Sequence, residues 1–228
     1  LINTNKYLRS VISPVIAIIL SLIIGAIFIM IVGKNPFEVY SMLFAGTMGS
    51  SYGIGQVMFK ATPLIFTGLA VAFAFKAGLF NIGAEGQLLI GAFSTAWIGF
   101  TFVTLPAAVL LPLSILAGFL GGALWGGIAG YLKVRFGSHE VINTIMLNFT
   151  AAALVSYFVN EVFNVQATVH TPEITALAYI ARFDSFTALF KGSPFNLSFL
   201  IALVICIIFY LIIRKTPYGY AVTTLGLN

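Results

Sequence analysis

Charge is what this sequence has least of. Only 7% of its 228 residues are Asp, Glu, Lys or Arg, against about a quarter in a soluble domain. A water-facing surface needs charge, so a soluble globular protein is excluded. Cysteine is nearly absent too: Cys206 stands alone inside an apolar run, which removes a disulfide framework and a thiolate metal site. The two histidines, His139 and His170, have no ligand cluster around them, so no metal is expected. No GxxxxGK[ST] phosphate loop occurs, and Gly53-Ile54-Gly55 lacks the third glycine of a dinucleotide loop. HExxH is missing. Ser138 and His139 are adjacent without a third partner, so no catalytic residue is assigned. An intramembrane lipid-modifying or proteolytic enzyme would need a nucleophile–base or metal constellation, and none can be assembled.

Long uncharged runs are what the sequence does have. Residues 10–33, 141–160 and 192–213 carry no charged side chain, and 86–132 carries none over enough length to cross twice, turning near Thr104, Leu105 and Pro106. A spanning helix needs about 20 apolar residues. Residues 61–75 are apolar but short. Continuous runs rather than period-two alternation argue for helices, because only helices or closed barrels pair every backbone group within lipid. The expectation is an all-α, polytopic membrane helix bundle of about six spans, forming a single domain over 1–228. The first run is longer than a signal-peptide core and no A-x-A site follows, so it reads as an anchoring helix.

The net charge of +5 does not point to nucleic acid, because the basic residues sit at the ends of the apolar runs. With the N-terminus cytoplasmic, Lys6, Arg9, Lys76, Lys133, Arg135, Arg214 and Lys215 fall inside, and Lys34, Lys60, Arg182 and Lys191 outside. That bias fits the positive-inside rule. Segments 34–60 and 161–195 are then extracytoplasmic. In the first, Asn35-Pro36-Phe37-Glu38 reads as a capped helix start. A short helix is expected over 37–45, with Gly46, Gly49, Gly53 and Gly55 breaking it into a loop. The second is a polar connector or a docking surface.

Three constellations carry the functional reading. Between Lys76 and Gln87, Gly78, Gly83 and Gly86 interrupt the helix and Asn81 is placed to cap a restarting one. The result is a broken or re-entrant helix near 61–87, with Glu85 and Gln87 at membrane depth. Interrupted segments there point to transport sites, and an intramembrane acid faces a cavity or a partner. A structural Glu85 bonded to a neighbouring helix is the competing account. Next, Glu140, Thr144 and Asn148 share one helix face, with Asn143 nearby. As a set they suit a wet cavity for a neutral, hydroxylated solute; singly they suit interhelical hydrogen bonds. The pathway candidates are therefore Asn81, Glu85, Gln87, Asn143, Thr144 and Asn148. Last, Gly118, Gly122, Gly126 and Gly130, spaced by four, read as a close helix-packing face.

The segments GLAVAFAFKAGLFNIGAEGQLLIGAF (68–93) and GSHEVINTIMLNF (137–149) resemble permease subunits of bacterial ABC importers, in the branched-chain amino acid and ribose permease superfamily. NPFEVYSMLF (35–44) and RKTPYGYAVTTLGLN (214–228) fit its nucleoside and simple-sugar group. The resemblance implies a multi-pass subunit of the bacterial cell membrane, in contact with lipid, that forms the pathway for a nucleoside by alternating access. Ribose-like sugars and branched-chain amino acids are the alternative solutes. It implies a second permease subunit (a heterodimer), cytoplasmic ATPase subunits that use ATP, and an extracytoplasmic solute-binding lipoprotein, with no cofactor in this chain. It also implies further spans past residue 228 and a coupling segment starting near Gly226, so a C-terminal truncation is expected.

Overall fold

The computed structural model describes residues 4–166 and 168–227. Asn228, quoted in the C-terminal motif, lies outside them, as do the side chains of Lys6 and Arg9. Eight α-helices follow in order: α1 (Thr4–Ile31), α2 (Pro36–Met48), α3 (Ser51–Lys76), α4 (Ala84–Thr101), α5 (Ala107–Phe136), α6 (Glu140–Tyr157), α7 (Ser198–Lys215) and α8 (Pro217–Leu225). A π turn over Phe158–Val162 extends α6, and three short 3-10 turns lie between α6 and α7. Among the described residues, five helices are long and apolar enough to cross a bilayer: α1, α3, α5, α6 with its π turn, and α7. The 18-residue α4 is diluted by Glu85, Gln87 and its small residues. The turn at 102–106 falls where Thr104–Pro106 placed it.

One expectation needs correction. Residues 46–60 do not form a loop, and 61–75 is not a short arm. The α2 start is as read: Asn35 accepts from the Phe37 amide at 3.0 Å, Pro36 takes the first position, and Asn35 Nδ2 donates to Glu38 at 3.3 Å. The helix runs on to Met48 and only Gly49-Ser50 breaks it. Ser50 then caps α3 by accepting from the Gly53 amide at 3.0 Å, and α3 continues for 26 residues, about 39 Å. Gly53 and Gly55 are close-approach positions inside it. A Cβ on Gly53 would strike the carbonyls of Gly46 and Thr47, and one on Gly55 would strike Ser193. Pro63 is tolerated in mid-helix, with Thr62 and Thr67 hydroxyls donating to the carbonyls of Met58 and Pro63 at 3.0 and 3.1 Å.

The 163–197 segment sits at the end shared by the start of α3 and the end of α4. Ser193 packs on Gly55, Ile174 packs on Gly99, and the Thr175 amide donates to the Gly99 carbonyl at 3.4 Å. It is a folded cap: Phe183 and Phe195 stack at 4.3 Å with Phe190 edge-on, and Arg182 donates to the Ser193 carbonyl at 2.7 Å. The opposite end gathers Lys76, Lys133, Arg135, Arg214 and Lys215 with α8.

The buried apolar core is thin and built mostly of small residues, including Ala84, Ala129, Ala151 and Ala202. Large apolar side chains point outward, as a lipid-solvated bundle requires. Close packing replaces a hydrophobic drive between helices, and the α4–α5 seam shows how. Cβ atoms on Gly91, Gly118 and Gly122 would lie 3.0–3.2 Å from backbone oxygens across the seam, and one on Gly126 would lie 3.1 Å from the Gln87 amide nitrogen. Three of the four expected glycines thus face α4. Gly130 has open space around it and takes no part in the seam. We predict that Gly118→Val costs about 1–3 kcal/mol by overpacking, while Gly130→Ala stays within about 0.5 kcal/mol of the parent. Thermal unfolding in detergent, followed by size-exclusion chromatography, measures both.

Candidate functional site

The chain between α3 and α4 is broken at 77–83, and each side of the break is built by a named device. Gly78 adopts φ 73°, the left-handed conformation that ends helices at low cost. The Leu79 amide donates to the Ala74 carbonyl at 2.9 Å and the Gly78 amide to the Phe75 carbonyl at 3.1 Å, which is a Schellman closure. Phe75 and Phe80 pack edge-on at 5.0 Å beside it. On the far side, Asn81 accepts from the Gly83 amide at 2.9 Å, and α4 starts with the Gln87 amide donating to the Gly83 carbonyl at 3.1 Å.

The break is also clamped from α6. Asn148 Oδ1 accepts from the Gly86 amide at 2.8 Å, and its Nδ2 donates to the Ile82 carbonyl at 2.9 Å. One side-chain amide thus replaces two missing backbone partners, a helix-end donor and a loop acceptor. The approach needs glycine at 86, where a Cβ would lie 2.8 Å from Asn148 Oδ1 and 3.1 Å from Trp125 Nε1. Thr144 packs on Gly83 one turn earlier. Thr144 and Asn148 lie four and eight residues into α6, or roughly 6 and 12 Å from its start. The restart of α4 therefore packs beside the first turns of α6.

The six candidate residues separate by what their polar atoms do. Asn81 and Asn148 serve the broken backbone. Asn143 Nδ2 donates to Ser138 Oγ at 2.5 Å, and buried Thr144 donates to the Glu140 carbonyl in its own helix at 2.8 Å. The side chains of Gln87 and Glu85 have no hydrogen-bond partner among the described residues. Glu85 is exposed in the first turn of α4, and Gln87 is half-buried. A cavity of about 130 Å³ is lined by Asn81, Gln87, Thr144, Lys133 and Glu140, with Phe80 on its wall. A second, of about 640 Å³ and mostly apolar, opens between α3, α4 and α5 past Phe66, Thr95 and Phe119. Gln87 borders both; Glu85, Asn143 and Asn148 border neither.

Three contributors were not singled out from the sequence. Lys133 pairs with Glu140 at 2.7 Å across the α5–α6 turn, so Glu140 faces that turn and not the Asn148 clamp. The pair spans Gly137, whose φ is 62°, and seven residues of separation across a helix–turn–helix would have suggested it. Phe80 and Trp125 carry no sequence signal beyond being aromatic. Trp125 Nε1 donates to the Leu147 carbonyl at 3.3 Å, which fixes α6 against α5.

A polytopic helical membrane protein with an amide-clamped break between two of its helices is the class these features define. The match to known families is narrower. The family described as branched-chain amino acid transport system / permease component covers residues 53–228, and the chain belongs to it. The family is one of transport permeases rather than enzymes. The chain is 37% identical to a guanosine ABC transporter permease protein of Bacillus subtilis, over 98% of this chain and 63% of the relative. It is 34% identical to a nucleoside ABC transporter permease protein of Lactococcus lactis subsp. cremoris, over 98% and 63%. A glucose ABC transporter permease protein of Haloferax volcanii matches at 34%, over 95% and 58%. The chain thus spans under two thirds of the length of these curated relatives. No solved structure matches.

The clamp gives a direct test of the break. In Asn148→Leu the Gly86 amide and the Ile82 carbonyl lose their partner where water is scarce. The expected cost is about 1–3 kcal/mol for each group left unpaired, seen as a lowered melting temperature in detergent. Asn143→Leu, which frees only a hydroxyl, is expected to change it far less.

Proposed function

We propose that this chain is the membrane-spanning part of an ABC importer permease that forms half of a pathway for a nucleoside. One observation carries the reading: Gln87, whose side-chain amide has no hydrogen-bond partner among the described residues, lies just past the helix break and lines both cavities. An amide donates and accepts, which matches the edge of a nucleobase or the hydroxyls of a ribose. The apolar walls contributed by Phe66 and Phe119 suit the face of a base. A zwitterionic amino acid fits less well, because the charged groups at the smaller cavity, Lys133 and Glu140, neutralise each other. Two of the three relatives described above carry nucleosides or guanosine in their names. The glucose permease relative supports a sugar as the second reading.

The smaller cavity lies below the ~300 Å³ at which ligand sites begin, so the solute passes only when the break or a neighbouring subunit moves. A second permease subunit completes the conduit, an extracytoplasmic solute-binding lipoprotein delivers the solute, and cytoplasmic ATPase subunits supply ATP-driven motion. This chain contributes no cofactor. ATP binding shifts the inward and outward populations through contacts that differ between them. The N-terminus is cytoplasmic by the positive-inside bias, which puts the 163–197 cap and α2 outside. Gln87 lines the pathway and Glu85 shapes its mouth, while Asn81, Asn143, Thr144 and Asn148 hold the wall.

Uptake of labelled guanosine by the intact transporter in proteoliposomes tests this, with unlabelled nucleosides, glucose and leucine as competitors. Nucleosides are expected to compete best; competition by glucose alone moves the assignment to sugars. Gln87→Ala is expected to raise KM by roughly 3- to 10-fold, the value of one hydrogen bond, with unchanged thermal stability. Glu85→Ala with normal expression and full uptake would remove Glu85 from the pathway.

A further inference from the structure

The break is held by α6 on one side and by α8 on the other. α8 leaves α7 through a corner that only glycine fits, because a Cβ on Gly219 would strike the carbonyls of Ile212 and Ile213. Thr216 caps the new helix, accepting from the Gly219 amide at 3.2 Å. The corner turns α8 back under α3. Val222 is buried at 7% exposure, and Tyr218 stacks on Phe73 of α3 at 6.4 Å and 16°. At the end of α8, Gly226 lies against the break itself. A Cβ there would strike the Lys76 carbonyl and stand 2.8 Å from the Gly78 amide nitrogen, and a Cβ on Gly78 would stand 3.0 Å from Gly226 Cα. Two backbones touch with no side chain between them.

From this contact we infer that Gly226 is a positioning residue, and that α8 and the end of α3 move as one body that sets where the break, and Gln87 beyond it, stands. Gly78 closes the Schellman motif, so a displacement of Gly226 acts on the residue that determines the exit direction of the chain from α3. Leu79 and Phe80, which follow at once, line the 130 Å³ cavity. The route from α8 to that cavity thus runs through consecutive residues. Contacts of this kind are bistable rather than compliant, because packed backbone cannot be compressed. The consequence for transport rests on the permease reading; the mechanical link does not.

Two measurements test the inference in the intact transporter with Cys206→Ser as background. First, Leu79→Cys reports on the break through its rate of reaction with a membrane-impermeant maleimide in open membranes. Gly226→Ala is expected to change that rate several-fold without any solute present; an unchanged rate overturns the inference. Second, Phe73→Cys with Tyr218→Cys is bridged by a short bis-methanethiosulfonate, which forms a disulfide with each thiol, releases methanesulfinate and is cleaved by a reductant. Uptake is expected to survive bridging and to be the same after cleavage, because the two helices travel together. Loss of uptake on bridging, restored on cleavage, means that α8 slides past α3 and overturns it. If the parent takes up no nucleoside, the functional reading fails alone, and the labelling comparison still decides the link.

Discussion

Backbone polar groups inside a bilayer have no water to turn to, and this constraint shapes the region around the break. An uninterrupted helix satisfies itself; a chain that stops and restarts leaves donors and acceptors without intrahelical partners. Here the repair is shared out. The Schellman closure at Gly78 takes up the last carbonyls of α3, Asn81 takes the Gly83 amide, and Asn148 reaches from α6 to take one donor and one acceptor together. The clamp binds α6 to α4, so the position of α6 cannot change without unpairing the break.

A clamp works only at hydrogen-bond distance, and that makes glycine a structural requirement here. Gly86 admits Asn148 and Trp125 to the first turn of α4. Gly91, Gly118 and Gly122 bring α5 close enough for Trp125 to reach that turn and the α6 backbone. The same device recurs at Gly53, Gly55 and Gly99, where the 163–197 cap and α2 are drawn onto the bundle, and at Gly226, where α8 meets the break. The small size of the buried core follows, since close backbone approach leaves little room for large side chains between helices. The large apolar residues are left facing outward, most completely on α1.

Much of this was legible in the sequence, and the parts that were not share a cause. Spans could be read because hydropathy is local: the charge-free runs became α1, α5, α6 and α7, and the turn before α5 fell at Pro106. The break was legible because Gly78 and Asn81 act on their own neighbours. The extent of α3 was not, because Gly53 and Gly55 carry the same signal whether they end a helix or admit a partner. What decides is the presence of Gly46, Thr47 and Ser193 across the gap, which is tertiary information. Gly130 misled for the same reason: its four-residue spacing is perfect, yet nothing stands opposite. Asn148 was found as polar, but its alignment with Ile82 and Gly86, more than 60 residues away, is invisible to spacing.

Polar side chains at lipid depth are costly, so each must be either satisfied internally or kept for something that arrives. Accounting for them atom by atom divides the six candidates more sharply than their positions do. Asn81 Oδ1, Asn143 Nδ2, the Thr144 hydroxyl and both amide atoms of Asn148 are spent on backbone and on Ser138. Gln87 is held in place by the seam, its side chain lying over Gly126, but its amide is not spent. A neutral amide kept free costs less than a free charge and selects for partners that both donate and accept. On the proposed function, that selectivity favours a neutral, multiply hydrogen-bonding solute over an ion. It also explains why the free group sits just past the break: only there can one side chain border both cavities while its backbone is already anchored in α4.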